Sequence, residues 1–112
     1  MKRGTTPTIP LTVDKDISDG WTIYATFRSG SHEVELTNDR MTIELEPATE
    51  TEEAKTLIDV TLTQEETLSF GAGSAEVQIR AIKDGTAIAT DVQRVDVGRI
   101  LKDGVIDELP QS

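Results

Sequence analysis

The segment 74–97 constrains the fold of this chain more than any other, because two runs of alternating apolar and polar residues flank Asp84 and Gly85. An Asp-Gly pair favours a tight two-residue turn between antiparallel strands. In the first run Val77 and Ile79 share one face, because side chains alternate across a strand. The segment therefore predicts a β-hairpin with one face in the core and the other in solvent.

The second arm of this hairpin changes parity along its length. Its apolar residues shift from one alternating set to the other between Val92 and Val95. One extra residue in a strand produces such a shift, because it leaves two residues opposite one on the partner. We therefore expect a β-bulge near Gln93.

The same alternation recurs earlier in the chain and predicts further strands. They cover 5–13, 21–28, 32–37, 41–45 and 56–62. The first contains Pro7 and Pro10, and because proline cannot donate to a sheet ladder, we expect an edge strand or an arm there. Turn residues separate the next three strands, which predicts a three-strand meander.

Few aromatic residues are available for the core. Aromatic residues make up 4 % of the chain and apolar residues 36 %, so we expect a core of mainly aliphatic side chains. Trp21 and Phe27 alternate in phase with Ile23. Both are therefore predicted to anchor the core, with an exposed stacking platform as the alternative for Trp21.

The segment 63–66 predicts a helical turn. Its sequence Thr-Gln-Glu-Glu matches a capping box, in which the Thr63 hydroxyl and the Glu66 carboxylate each accept a backbone N–H of the other residue. One turn over 64–69 follows. About seven short strands with this turn crossing between sheets predict an all-β fold, an antiparallel immunoglobulin-like β-sandwich. A small barrel is the alternative.

The length of the chain predicts a single domain over 1–112. We expect a short N-terminal arm (1–8) and an apolar C-terminal tail (99–112) that a polar turn at 102–104 interrupts. The segment 46–55 is rich in glutamate and has no apolar period. It predicts a mobile acidic surface loop.

The charge of the chain argues against several classes of partner. With 21 acidic and 11 basic residues the net charge is -10, which repels nucleic-acid phosphates and anionic membranes. No apolar run approaches the ~20 residues that span a bilayer, so we expect no membrane insertion. The start of the chain lacks the apolar region of a signal peptide, which predicts synthesis in the cytoplasm. Without cysteine, neither disulfides nor thiol catalysis can form.

No group of residues has the composition of a catalytic site. The only histidine, His32, stands among polar residues beside a predicted hairpin turn, which favours a surface position without catalytic partners. We predict no catalytic, cofactor-binding or metal-binding residues, and no enzyme activity. A cation could still bind the acidic segment 46–55 or the turn with Asp14, Asp16 and Asp19, although turn capping explains those aspartates more simply.

Four arginines are expected to form ion pairs on the surface. They are spread along the sequence and are outnumbered by acidic residues, which predicts local ion pairs rather than an anion site. The four are Arg28, Arg80, Arg94 and Arg99.

Several strings, in this order and at these spacings, carry a resemblance to a known family. They are Arg3-Gly4-Thr5-Thr6-Pro7-Thr8, Tyr24-Ala25-Thr26-Phe27, Leu62-Thr63-Gln64-Glu65-Glu66-Thr67, Val77-Gln78-Ile79-Arg80, Asp84-Gly85-Thr86-Ala87 and the run from Val97 to Ile106. Over most of its length the chain resembles small uncharacterised proteins encoded in phages and prophages of Firmicutes, usually in the structural or tail gene region. The family has no known catalytic residues.

The resemblance implies a non-enzymatic module of the virion or of the tail and its baseplate, located in the virion and docked onto other phage structural proteins. A homo-oligomer is a further possibility. The arm 5–13 and the segment 100–106 are the expected docks, because edge strands can accept another chain by strand addition. The alternative is a host-surface or carbohydrate-binding module of the tail tip. Its candidates are Tyr24, His32 and the aspartate turn 14–19.

Overall fold

The computed structural model describes residues 1–101 and 104–108. Within this part the chain forms eight strands, one five-residue helix and a short 3₁₀ turn at Asn38–Arg40. The strands are β1 (Thr8–Val13), β2 (Thr22–Ser29), β3 (His32–Leu36), β4 (Met41–Glu46), β5 (Lys55–Thr61), β6 (Gly73–Lys83), β7 (Thr86–Ala89) and β8 (Gln93–Val97), and the helix is α1 (Gln64–Leu68).

The strands form two antiparallel sheets around a shared apolar core. The smaller sheet has the order β1-β5-β4. The larger has the order β3-β2-β6, and both β7 and β8 pair with the far edge of β6. Helix α1 connects β5 of the smaller sheet to β6 of the larger one. The predicted antiparallel sandwich with one helical turn is confirmed, with an eighth strand because one hairpin arm is divided in two.

The core is mainly aliphatic, as the composition predicts. Phe27 is fully buried and its ring lies 6.1 Å from that of Phe70, a separation at which aromatic pairs attract. Trp21 is only half-buried and packs against the margin of the core. The other buried apolar residues are Leu11, Val13, Ile17, Ile23, Ala25, Leu36, Ile58, Val60, Leu62, Ala75, Val77, Ile79, Ala81 and Val97.

The hairpin between β6 and β7 has the predicted two-residue turn. Asp84 and Gly85 have φ angles of 50° and 82°, and Lys83 lies opposite Thr86. The turn that matches strand twist requires a positive φ at both central residues, and Asp and Gly adopt it at low cost. The dipeptide therefore sets the register of the longest hairpin in the described chain.

A bulge divides the second arm of this hairpin, close to the predicted position. Arg80 lies opposite Ala89 and Val77 lies opposite Gln93, so two residues of β6 face the three residues 90–92. The Thr90 hydroxyl accepts the Ile79 backbone N–H at 3.1 Å and so satisfies a donor near the bulge. The extra residue moves the apolar set of β8 back to the core side.

The predicted meander is wrong in its third strand. β2 and β3 form a hairpin, but β4 pairs with β5 in the smaller sheet, where Met41 lies opposite Val60. The 3₁₀ turn before β4 is fastened to the start of β2. The Asn38 side chain accepts the Ile23 backbone N–H at 2.7 Å and donates to the Trp21 carbonyl at 2.9 Å. These bonds hold the turn where the chain leaves the larger sheet.

The predicted edge strand and capping box are both confirmed. In the described chain β1 pairs only with β5, and its Pro10 is exposed, as an edge position allows. At α1 the Thr63 hydroxyl accepts the Glu66 backbone N–H at 3.2 Å, and the Glu66 carboxylate accepts the Thr63 backbone N–H at 2.8 Å. These bonds satisfy two backbone donors at the start of the helix.

Candidate interaction surfaces

The first residues of the chain extend the larger sheet beyond β8. The Arg3 backbone N–H donates to the Gly98 carbonyl at 3.0 Å, and the Gly98 N–H donates to the Met1 carbonyl at 2.6 Å. Lys2 forms a parallel bridge with Gly98. The N-terminal segment is therefore held by backbone hydrogen bonds of the same kind as those within the sheet.

The Arg3 side chain fastens this segment to the end of α1. Its Nε donates to the Phe70 carbonyl at 2.6 Å and its Nη2 donates to the Leu68 carbonyl at 2.8 Å, both partly buried. Carbonyls at the end of a helix lack helical partners, and a cation there is also favoured by the helix dipole. The start of the predicted N-terminal arm (1–8) is thus fastened to the sheet and to α1, and we assign residues 1–3 no docking role.

The C-terminal segment also meets α1, at its other end. The Gln64 side chain donates to the Ile106 carbonyl at 3.0 Å and accepts the Ile106 N–H at 2.8 Å. Large apolar side chains nevertheless point to solvent: Leu101 is 97 % exposed, Val105 48 % and Ile106 55 %. We call these three the C-terminal apolar segment. The rest of the predicted tail, residues 102–103 and 109–112, lies outside the described residues.

A groove of about 700 Å³ crosses the solvent face of the larger sheet. Its lining includes half-buried side chains of β2 and β6, namely Tyr24, Thr26 and Gln78, and the exposed apolar side chains of Ile82 and Val92. Their neighbours on the adjoining strands are exposed: Glu35 lies opposite Thr26, and Arg80 lies opposite Tyr24. The groove therefore has a floor of Tyr24, Thr26 and Gln78 between taller side chains.

Charged residues of both signs form much of the rim. Arg28 lies opposite Glu33 on β3 and opposite Glu76 on β6. Its Nη2 is 3.0 Å from a Glu33 carboxylate oxygen, which confirms the predicted ion pair for this arginine. Arg80 and Glu35 complete the charged lining. The sequence indicated these residues as an outer face, but the register that gathers them was not visible in it.

His32 lies apart from this groove. It is exposed at the first position of β3, opposite Ser29, and it is absent from the residues that line the groove. Its predicted surface position is confirmed. The imidazole is therefore no part of the groove's chemistry.

The aspartate turn is held by its own hydrogen bonds. Asp16 accepts the Ser18 hydroxyl at 2.6 Å and the Ser18 backbone N–H at 3.1 Å, and these bonds hold the pKa of the Asp16 carboxyl below its ordinary value. The Asp19 carbonyl accepts a hydrogen bond from the Lys83 ammonium at 3.2 Å. Capping accounts for Asp16.

The acidic loop between β4 and β5 spans residues 47–54. The Thr49 hydroxyl accepts the Glu52 N–H at 3.1 Å, and a Glu52 carboxylate oxygen lies 3.8 Å from the Lys55 ammonium. Within residues 1–101 and 104–108, no three histidine or acidic side chains are placed to hold a metal ion. The described part of the chain also has no helix of the length and apolarity that a membrane crossing needs.

No protein-family model matches this chain, and no curated protein matches it either.

Proposed function

We propose that this chain is a non-enzymatic structural module of a phage or prophage virion, in the tail or its baseplate, that docks onto other virion proteins. The resemblance of its sequence strings to phage structural-region proteins supports the assignment. The observation that carries the docking role is the exposure of the C-terminal apolar segment, Leu101, Val105 and Ile106.

Covering exposed apolar side chains with a partner stabilises the complex by about 25 cal/mol for each Å² removed from water. Single exposed residues are common on soluble proteins, but a group of large ones often marks an interaction site. The Gln64 side chain already holds the backbone of Ile106 at both of its polar groups. A partner that binds this segment therefore orders less of the chain, which lowers the entropic cost of association.

Free strand edges offer a second means of attachment. In the described chain β4 pairs only with β5, and Leu45 on β4 is 43 % exposed. An unpaired edge can receive an extended segment of another chain through main-chain hydrogen bonds. This geometry suits a small module within a larger assembly.

Incorporation into particles tests the proposed docking. A phage carrying the wild-type chain is compared with one in which Leu101, Val105 and Ile106 are all replaced by serine. The matched control replaces Ile82 and Val92, which are also exposed, by serine. Quantitative mass spectrometry of purified particles should find the wild type and the control at equal copy number, and the triple variant reduced by at least about tenfold, a loss of 1.4 kcal/mol.

Two outcomes contradict the proposal. If the wild-type chain is absent from purified particles, it is not a virion component. If the triple variant is incorporated as well as the wild type, the C-terminal apolar segment is not the dock.

A second candidate, recognition of the host surface by a tail tip, is favoured by one observation. Tyr24 lines the groove on the larger sheet together with both donors and acceptors of hydrogen bonds. A binding module of this kind needs an accessible aromatic ring near polar groups. Binding of oligosaccharides to the purified chain separates this role from docking.

A further inference from the structure

We infer that the groove on the larger sheet binds a neutral oligosaccharide. This inference concerns the site of the second candidate function and does not depend on the docking role. The groove's volume of about 700 Å³ falls within the range of about 300–1,000 Å³ typical of small-ligand sites. It is larger than the recess of about 320 Å³ that Asp14 and the end of the acidic loop form.

Over β2 and β6, side chains form the polar contacts of this groove. β2 is paired on both sides, with β3 and β6, and β6 is paired with β2 on one side and with β7 and β8 on the other. Their backbone groups are therefore used within the sheet. An extended peptide cannot be added to β2 or β6 as a strand, because strand addition requires a free edge.

The rim places groups that only donate hydrogen bonds beside groups that only accept them. Arg28 lies next to Glu33 and Glu76, directly opposite across the strands. A guanidinium has no acceptor, and an ionised carboxylate has no donor. A hydroxyl does both at once, so one sugar hydroxyl can accept from Arg28 while it donates to a neighbouring glutamate. Such charge-assisted bonds are stronger than neutral ones.

The balance of charge in the lining selects a neutral ligand. Two arginines, Arg28 and Arg80, stand against three glutamates, Glu33, Glu35 and Glu76. The two signs nearly cancel within the groove, and the chain as a whole carries a net charge of -10. An anionic ligand meets repulsion from the glutamates and from the whole protein, whereas a cationic ligand has to compete with Arg28, which is already paired with Glu33 at 3.0 Å.

The apolar part of the lining matches the remaining surface of a sugar. Tyr24 on the floor lies opposite Arg80 in the neighbouring strand, and Ile82 and Val92 add exposed apolar surface. A pyranose ring has hydroxyls around its edge and C–H groups on its faces. The Tyr24 ring can cover such a C–H face while the charged rim binds the hydroxyls. Both kinds of surface are thus present within one groove.

The test is a titration of the purified full chain with neutral and acidic hexasaccharides. Maltohexaose, cellohexaose and chitohexaose are the neutral probes, and hexagalacturonic acid is the acidic one. In NMR spectra of isotope-labelled protein, at least one neutral probe should shift the backbone signals of Tyr24, Thr26 and Gln78 saturably. Tyr24→Ala should weaken its binding by about tenfold or more, whereas Tyr24→Phe, which keeps the ring, should stay within about threefold.

Matched variants control for charge and folding. Glu35→Gln in the lining should weaken binding, while Glu44→Gln, an exposed glutamate on β4 of the other sheet, should leave it unchanged. Thr26→Arg fills the floor and should abolish binding, and it provides a second test if Tyr24→Ala does not fold.

The inference is overturned if no neutral probe binds, if the acidic probe binds more tightly, or if the shifted signals lie outside the groove. Preferential binding of a control peptide with alternating lysine and glutamate would also overturn it. These results are independent of particle incorporation, which tests the docking role, so a failure of either proposal can be recognised separately.

Discussion

Two segments near the ends of the chain, around Arg3 and around Ile106, contact the same short helix, but they are attached to it in different ways. The N-terminal end places a guanidinium on the last carbonyls of α1, because Arg3 donates to Leu68 and Phe70 in a partly buried site. The C-terminal end is attached at the start of α1 through the neutral amide of Gln64, which bonds the exposed backbone of Ile106.

The two contacts differ in how easily water can replace their hydrogen bonds. A hydrogen bond from a charged donor in a partly buried site contributes about 1.5–3 kcal/mol, whereas an exposed neutral bond contributes about 0.5–1.5 kcal/mol because water replaces it. The N-terminal contact therefore stabilises the folded domain. The C-terminal contact positions a segment and adds little to folding, which leaves that segment's apolar side chains available for the proposed dock.

The largest effect is expected for Arg3→Ala. The variant leaves two carbonyls at the end of α1 without their donor, so the free energy of unfolding should fall by about 2–3 kcal/mol. Urea denaturation followed by circular dichroism measures this. Arg99→Ala, an exposed arginine near the C-terminal segment, is the control and should change stability by less than about 0.5 kcal/mol. Equal effects of the two variants would refute the assigned role of Arg3.

A smaller effect is expected from the charge of Glu66 within α1. Burial raises the pKa of this carboxyl, but hydrogen bonds from Arg40 at 2.7 Å and from the Thr63 backbone outweigh it and hold the pKa below its ordinary value. A lowered pKa in the folded state means that the unfolded chain binds the proton more tightly. Glu66 therefore contributes stability above the pKa of an unfolded glutamate, about 4.3, which is lost as the pH falls through its lower folded value.

The variant Glu66→Gln isolates this contribution. It keeps an acceptor for the capping box but removes the charge beside Arg40, so it should cost about 1 kcal/mol at neutral pH. The cost should shrink as the pH falls below 4, because the wild-type carboxylate is then protonated as well. Glu65→Gln, an exposed neighbour, serves as the control. A cost for Glu66→Gln that is the same at neutral and acidic pH would show that its charge is not involved.

Removing the Gln64 amide should have a smaller effect on stability than either change. Gln64→Ala loses two exposed hydrogen bonds, for which we expect less than about 1 kcal/mol. The local effect should be larger, because the Ile106 N–H loses its acceptor and should exchange with solvent faster. Hydrogen exchange followed by NMR checks this, with Gln93→Ala as the control. Unchanged exchange at Ile106 would show that Gln64 does not position the C-terminal segment.

The features that the sequence predicted correctly depend on residues close to one another in the chain. The turn at Asp84 and Gly85 needs two residues that tolerate positive φ, and the capping box needs Thr63 and Glu66 three positions apart. The alternation of strands and the bulge in the second arm are equally local. Each could be predicted because the physical requirement and the residues that meet it lie within one short window.

The features that it missed depend on partners far apart in sequence. Arg3 contacts carbonyls 65 and 67 residues away, and Gln64 contacts Ile106 across 42 residues. The transfer of β4 to the smaller sheet and the groove on the larger sheet also depend on strand order and register. Neither end has the alternation of a core strand, so the sequence predicted an arm and a tail, and only long-range contacts show how differently they are attached.

The smallest effect is expected for Leu101→Ser, and this variant completes the comparison of the two ends. Leu101 is 97 % exposed, so it has almost no buried area to lose, and the free energy of unfolding should change by less than about 0.5 kcal/mol. Ile100→Ser is the matched control, because Ile100 is half-buried and its side chain lies close to Gly4 in the N-terminal segment. That variant should destabilise the domain more than Leu101→Ser does. Urea denaturation measures the stability of both variants. If Leu101→Ser were the more destabilising, Leu101 would contribute to folding and would not be free to bind a partner.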